Sequence, residues 1–474
     1  MLRNFLPFSN ELNYMSESNS NQSSKKAETE SPDIFNYLRQ EIPVEDLKDV
    51  SSPQRLDSID VVKGFAILFI LLAHFSQEWF NGNWMFLHYV AFAFLDILGP
   101  SLFFFLSALS VIFSIRRKEG ILPDKVIRNR IFSRGGAIMA VGMISNFLWS
   151  NEPFPLSLWG WNILFFIGFS QIMSYLALKL KRNWRAFIGV VIIIFGPAIR
   201  EAFYLFRNEN LVFAAFNFII NSPVQRLPLL PWISICFIST IFGEILYKAM
   251  IKGTKHALFG LYRTFLFWGI ILVGVGIAIG FPLHRLTPPT VIPDIYPWIN
   301  TTLDPNQYPW IDFLSSANTS VQNLFPGYKY PGMPDFLIRS TTSNIFYNIG
   351  WSLLFMAISL KIVDINGKDN LFIKMLIHYG KISLSLFIIM WFLVIFFVDA
   401  FPIWFFAFHY FAGAALLGFL MYVWMKYFKG VGSPEWIMVQ ISRVAQKTEE
   451  EVIKVEDKVK KKIKKVEYRE ENNE

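Results

Sequence analysis

The sequence predicts an all-α, polytopic membrane protein of about ten transmembrane helices, with both termini in the cytoplasm. Three observations predict it. The composition is 53% hydrophobic and 17% aromatic with a positive mean hydropathy, which is too apolar for a soluble chain. Apolar runs long enough to cross a bilayer recur near 61–80, 86–115, 132–150, 158–179, 186–206, 228–249, 263–282, 343–362, 379–399 and 404–427. The connections between them alternate in charge: Arg116 to Arg134 holds seven Lys or Arg, whereas 81–85, 151–157 and 400–403 hold none. By the positive-inside rule this alternation puts both termini in the cytoplasm of a multi-pass cell-membrane protein, in keeping with an even number of spans.

Residues 1–54 are rich in Ser, Asn, Glu and Lys and read as a disordered cytoplasmic tail. A transmembrane domain follows over 55–428. Within it, 207–227 has room for a short surface or re-entrant helix. Residues 283–342 form a long outer segment with Trp298, Trp310 and the acids Asp294, Asp304, Asp312 and Asp335. Rings stack on sugar faces and carboxylates accept hydroxyl hydrogen bonds, so this segment suits either sugar binding or an interfacial aromatic cap. The charged tail 429–474 places Val452, Val455, Val459, Ile463 and Val466 at helical spacing. It reads as a solvated cytoplasmic helix able to pair with another helix or lie on anionic lipid.

The net charge of +8 sits in particular loops and in the tail, which fits cytoplasmic connections and anionic lipid rather than nucleic acid. Cys236 is the single cysteine, which excludes a disulfide framework or cysteine-rich metal site within one chain, and no metal is expected. The chain leaves homo-oligomer formation open.

The chemistry concentrates in Arg55 to His74. Asp60 and Lys63 stand at the mouth of an apolar helix and His74 lies eleven residues beyond Lys63. Eleven residues turn a helix through three turns plus about 20°, so Lys63 and His74 share a face, about 16 Å apart. Glu78 follows one turn later on nearly the same side. A mid-membrane imidazole with a carboxylate partner is a good general base, because its unperturbed pKa near 6.5 is easily tuned. In the second span His88 lies near the outer end, and Asp96 is set in an apolar run before Gly99-Pro100. A charge there needs a partner or a wet cavity, which suits either substrate orientation or a bond to a neighbouring helix. Ser101, Ser107 and Ser110 read as helix-packing residues, and His409 either as a polar contact between helices or as a functional group.

On these residues the chain resembles the membrane acyltransferases that join the type-3 acyltransferases and the heparan-α-glucosaminide N-acetyltransferase relatives. Asp60, Lys63-Gly64 and His74 match that group's pattern of Asp, two residues, Arg-Gly and a histidine after ten intervening residues, with Lys63 in place of arginine. Lysine keeps the charge and loses the bidentate fork. The stretch GPSLFFFLSALSV from Gly99 resembles its second helix, with Ala108 for the usual glycine. His88, Asp96 and Pro100 resemble the heparan branch's His…Asp…Pro run, with a shorter first gap. LPLLPW from Leu227 and GKISLSLFIIMW from Gly380 resemble later helices, with Met390 where the relatives carry histidine.

The resemblance implies acyl-CoA, most simply acetyl-CoA, as donor from the cytoplasm, with Lys63, Arg116, Arg117, Arg128 and Arg130 at its phosphates and Asp60 also among the donor-binding residues. It implies catalysis by His74 with Glu78, or by His88 with Asp96, through direct transfer or an acyl-histidine. The acceptor is a glycan or lipid-linked sugar at the outer face. Two other classes fit the buried charges: a proton-coupled carrier, and an inactive family member that only binds acyl-CoA.

Overall fold

A computed structural model describes residues 56–80, 99–116, 118–119, 122–149, 153–221, 227–280, 328–330, 333–337 and 339–471. Side chains are described for these residues except 149, 328–335, 450 and 455–471. The expectations for residues 1–54, His88, Asp96, Arg117, and most of 283–342 including Trp298 and Trp310 lie outside the described residues.

The described chain is helical apart from a two-stranded ribbon, β1 (Tyr328–Tyr330) and β2 (Met333–Pro334). Its helices are α1 (Asp57–Trp79), α2 (Pro100–Arg116), α3 (Asp124–Trp149), α4 (Ile163–Leu178), α5 (Arg182–Leu205) and α6 (Leu211–Ile220). Then come α7 (Leu229–Trp232), α8 (Ser234–Lys252), α9 (Lys255–Gly280) and α10 (Thr342–Ser359), which runs on as a π-helical turn, Leu360–Ile365. The last are α11 (Leu371–Lys381), α12 (Ser383–Val394), α13 (Ile403–Phe428) and α14 (Pro434–Glu471). Asparagine and threonine at helix entries behave as their chemistry dictates. The side chains of Asn162, Asn210, Thr341 and Asn370 accept the first backbone N–H groups of α4, α6, α10 and α11.

Among the described residues, seven helical segments are long and apolar enough to cross a membrane, and the protein is a multi-pass membrane protein. Two of the ten expected spans, α2 and α4, are apolar but only 17 and 16 residues long in the described chain. The expected span at 379–399 is broken: α11 and α12 meet at 84°. The hinge is Ile382, which leaves helical backbone at φ −111° and ψ 20°. Residues 207–227 hold a short helix, α6, as their apolar run suggested.

Helix α1 lies at the centre. Buried residues fill 61% of its apolar window, against 22% in α5 and in α9. Val62 and Ala66 join a core with α2, α4, α8 and α10, while Ile67, Ile70, Leu71, Phe75 and Trp79 join one with α11, α12 and α13. Its N-terminus is closed by a distant residue, since the Asp364 carboxylate accepts the backbone N–H groups of Asp57 and Ser58, both at 3.2 Å. That supplies the cap that Leu56 lacks. Alongside it, α11 crosses at backbone contact. A Cβ on Gly64 would collide with the Leu376 carbonyl, and one on Gly380 with the Asp60 carbonyl. Glycine permits this approach, as small residues do in membrane bundles.

The C-terminal tail is not simply a solvated helix. The front of α14 docks on α3 and α12, burying Trp436, Met438, Gln440 and Ser442. Glu435 holds it to α12: the Ser385 backbone N–H donates to Oε1 at 2.9 Å, and the Ser385 hydroxyl donates to the other carboxylate oxygen. On α3, Asn129 Nδ2 donates to the Ala445 carbonyl at 2.9 Å.

Two measurements check this packing. Gly380→Ala should cost about 1–3 kcal/mol of stability or more through overpacking at the α1–α11 crossing, read as a lower Tm in detergent. Gly136→Ala, where a Cβ meets open space, should instead gain about 0.5–1 kcal/mol from helix propensity. The second concerns pH. Burial pushes the Glu435 carboxyl above its ordinary value of 4.5, so the docked state holds that proton more tightly than the undocked chain. Its contribution to docking is complete below that value and is lost as pH rises through the elevated one. Hydrogen-exchange protection across 434–446, corrected for the intrinsic pH dependence of exchange, should therefore fall as pH rises above the ordinary carboxyl value in the wild type and vary less in Glu435→Gln.

Candidate functional site

A cavity of about 150 Å³ opens among α1, α2, α3, α4, α12 and α14. Each wall follows from a helical stripe. On α2, Phe103, Leu106, Ser107, Ser110, Val111 and Ser114 line it at spacings of three, one and three, which is one helix face. On α3 the lining residues are Arg130, Ile131, Arg134 and Ile138, again one face. Helix α1 contributes Lys63 and Ile70, and α4 contributes Gln171. The bend at Ile382 turns the first residues of α12, Ser383, Leu384 and Phe387, into the wall, and α14 adds Ser442.

The result is an apolar chamber with three cations and a ring of hydroxyls. Ser110 Oγ donates to the Leu106 carbonyl at 2.7 Å, and the Ser170 hydroxyl lies 3.5 Å from that of Ser107. Arg130 Nη1 donates to Gln446 Oε1 at 2.8 Å, and Lys118 Nζ donates to the same oxygen at 3.1 Å. Cations beside hydroxyl groups in a partly dry chamber form an anion site, and arginine and lysine are the usual phosphate partners.

The structure sorts the expected residues sharply. Lys63 and Arg130 line the cavity. Arg128 is exposed, about 200° around α3 from Arg130, and does not line it. Arg116 is drawn into an ion-pair cluster instead: it bonds Glu119 at 2.6 Å and Glu244 at 2.8 Å, while Arg185 bonds the other Glu244 oxygen at 2.8 Å. This cluster ties α2, α5 and α8 together. Asp60 is fully buried at the α1–α11 crossing and does not line the cavity. Arg117, His88 and Asp96 lie outside the described residues.

His74 is half-buried and packs against α12, its ring 4.6 Å from Trp391 and 6.2 Å from Phe387. Phe387 also lines the cavity, so a single aromatic ring touches both the chamber and His74. Glu78 is half-buried one turn beyond His74. Met390 is fully buried in the same α12 core.

Several lining residues were not anticipated. Arg134 follows Arg130 by four residues, and that spacing alone could have flagged it. Ser107 and Ser110, read from the sequence as packing residues, line the cavity together with Ser114. Nothing local in the sequence marks Gln171, Ser383, Ser442 or Gln446, which reach the site only through tertiary packing. The polar contact of His409 is to its own helix, α13, rather than between helices. Its ring stacks on Phe401 at 3.8 Å, and its Nδ1 lies 3.1 Å from the Phe405 carbonyl. Among the described residues, no group of three or more His, Cys, Asp or Glu side chains comes together as a metal site.

Comparison with known proteins adds one finding. The family model described as "Heparan-alpha-glucosaminide N-acetyltransferase, catalytic" matches residues 55–291, half of the chain. That range carries Lys63, His74 and the α2, α3 and α4 walls of the cavity, whereas α12 and α14 lie beyond it. No curated protein and no solved structure matches the chain. The chain therefore belongs to the family of the heparan-α-glucosaminide N-acetyltransferase catalytic domain, a family of membrane N-acetyltransferases.

Proposed function

We propose that this protein transfers an acyl group, most simply acetyl, from acyl-CoA to an amine or hydroxyl of a glycan or lipid-linked sugar. The donor enters from the cytoplasm and the acceptor from the outer face, across a bundle of about ten spans with both termini cytoplasmic. One observation carries the reading: in a chain of this family, the cavity gathers Lys63, Arg130 and Arg134 at the end of the bundle where the basic connections lie. Loop charge of that kind faces the cytoplasm, which is where acyl-CoA is made available.

The volume narrows what the cavity holds. Pockets for whole drug-sized ligands run to about 300–1,000 Å³. A chamber of about 150 Å³ takes one part of the donor, leaving the nucleotide end at the rim. The three cations neutralise phosphate charge, and the hydroxyls accept or donate to the rest. Lys63, in the place of the relatives' arginine, acts as a point charge rather than a fork.

In the transfer, the acceptor's nitrogen or oxygen forms a bond to the thioester carbonyl carbon and the carbon–sulfur bond breaks. The acceptor's proton goes to the His74 imidazole and then to the departing thiolate, so the products are the acylated acceptor and free CoA thiol. In the covalent variant the imidazole itself carries the acyl group between the two half-reactions. Glu78 favours the imidazolium that either route forms. His88 and Asp96 hold the equivalent roles if the chemistry lies nearer the outer face.

The bend between α11 and α12 supports a second reading, a carrier, because broken helices build the central sites of many carriers. Thiol release separates the two. Purified protein given acetyl-CoA and a panel of amino sugars should release free thiol. His74→Ala should lower that release by about 10²–10⁴-fold. Loss in His88→Ala alone would move the chemistry to His88, and no release with no CoA-dependent stabilisation would leave the carrier. Stabilisation without release would mark an inactive binder. Lys63→Met should raise the donor KM by about tenfold, and Lys63→Arg should retain it.

A further inference from the structure

We propose that Phe387 of α12 sets the length of acyl group that the donor can carry, because its ring closes the deep end of the cavity and admits only short groups such as acetyl. The inference rests on the reading of the cavity as an acyl-CoA site. It adds to that site a specificity-determining residue from a helix beyond the family match.

The cavity has two unlike ends, and the rise along its helices sets their order. On α1, Lys63 and Ile70 both line it, seven residues or about 10 Å apart along the axis. On α3, Arg130 and Arg134 come before Ile138. Helix α2 runs the other way, since Val111 and Ile115 near its end share a cluster with Ile127 and Ile131 near the start of α3. One end of the cavity is therefore lined by Lys63, Ser110, Ser114, Arg130, Arg134 and Ser442. At the other end, Ile70, Ile138, Leu164 and Phe387 belong to a single buried apolar cluster, with Phe103 packed against it. A CoA thioester is polar at its nucleotide and apolar at its acyl tip. The match holds one way round only, with the acyl group in the apolar end.

Phe387 stands at the limit of that end. Helices α1 and α12 pack side by side, and their side chains meet turn by turn. Ile70 and Phe387 line the cavity. Four residues further along each helix, His74 and Trp391 pack ring to ring at 4.6 Å, and neither lines it. The Phe387 ring spans the two levels, with its centroid 6.2 Å from that of His74. It is thus the wall between the chamber and the imidazole. Phe387 is only 8% exposed and sits in a packed core with Leu386 and Met390, so the wall is fixed in place. A fixed apolar wall selects by length. An acyl group that ends at the ring gains its contact, whereas each further methylene has to displace packed atoms.

The test uses the full-length protein in detergent, with free CoA, acetyl-CoA, butyryl-CoA and octanoyl-CoA titrated separately by calorimetry. Wild type should bind acetyl-CoA at least about tenfold more tightly than octanoyl-CoA, with butyryl-CoA between them. Phe387→Ala should raise the octanoyl-to-acetyl affinity ratio about tenfold, because the vacated space takes the added methylenes. Free CoA has no acyl group to meet the ring and should bind that variant within about twofold of wild type. Phe387→Leu keeps the core apolar and fuller, and should shift the ratio the same way by about threefold if Phe387→Ala fails to fold. Wild type that binds the three acyl-CoAs equally, or the longest best, would overturn the role of Phe387 and leave the cavity reading intact. So would folded variants that keep the wild-type ratio. Absence of binding of CoA and of every acyl-CoA to wild type would overturn the cavity reading and this inference with it.

Discussion

Everything in this bundle depends on how closely α1 and α11 approach. In a membrane, helices gain nothing from leaving lipid, so their association rests on packing and hydrogen bonds. Gly64 and Gly380 remove the side chains that would hold the two backbones apart, and the Asp60 and Leu376 carbonyls fill the space. Asp364 then fixes the start of α1 from the end of α10. With its first turns set, α1 carries Lys63 into the cavity and His74 against the rings of α12. The same Gly380 lies just before the hinge at Ile382, so the contact that seats α1 adjoins the bend that turns Ser383 and Phe387 into the wall.

Charge is partitioned by burial and partner. The α2–α3 region supplies many cations, and the fold spends them in different ways. Arg116 goes to Glu244 and locks three helices together, Arg128 is exposed, and Arg130 and Arg134 line the chamber. A buried ion pair such as Arg185–Glu244 contributes modestly to stability, because desolvation offsets its attraction, but removing one partner is costly. That cost keeps the cluster in register. The tail joins the same arrangement. Helix α14 is amphipathic by sequence, yet its docked face is chosen by Trp436, Met438 and Ser442, whose partners come from α3 and α12.

Much of this was legible from residues alone. Hydropathy identifies the spans because transfer free energies add along a segment regardless of neighbours. The Asp60–Lys63–His74 spacing pointed to α1, which lies within the family match over 55–291. Helical periodicity predicted that Lys63 and His74 share a side; Lys63 lines the cavity, whereas His74 lies outside its lining and packs against Phe387, which does line it. Less visible were the roles of individual cations. A run of seven basic residues gives no sign that one will meet Glu244 from α8, more than a hundred positions away. Serines on α2 look the same whether a small neighbour or a cavity lies opposite them.

By itself, then, the sequence determined that the chain is a helical membrane protein, where its basic residues cluster along the chain, and which helix carries Asp60, Lys63, His74 and Glu78. Those are local properties, fixed by composition, spacing and sign. Tertiary structure alone decided the break at Ile382, the docking of α14, the capture of Arg116 and the assembly of Gln171, Ser383, Ser442 and Gln446 at one cavity. The physical reason is that packing is set by shape and partner at contact distance. Close contact joins residues hundreds of positions apart, and no window along the chain spans them.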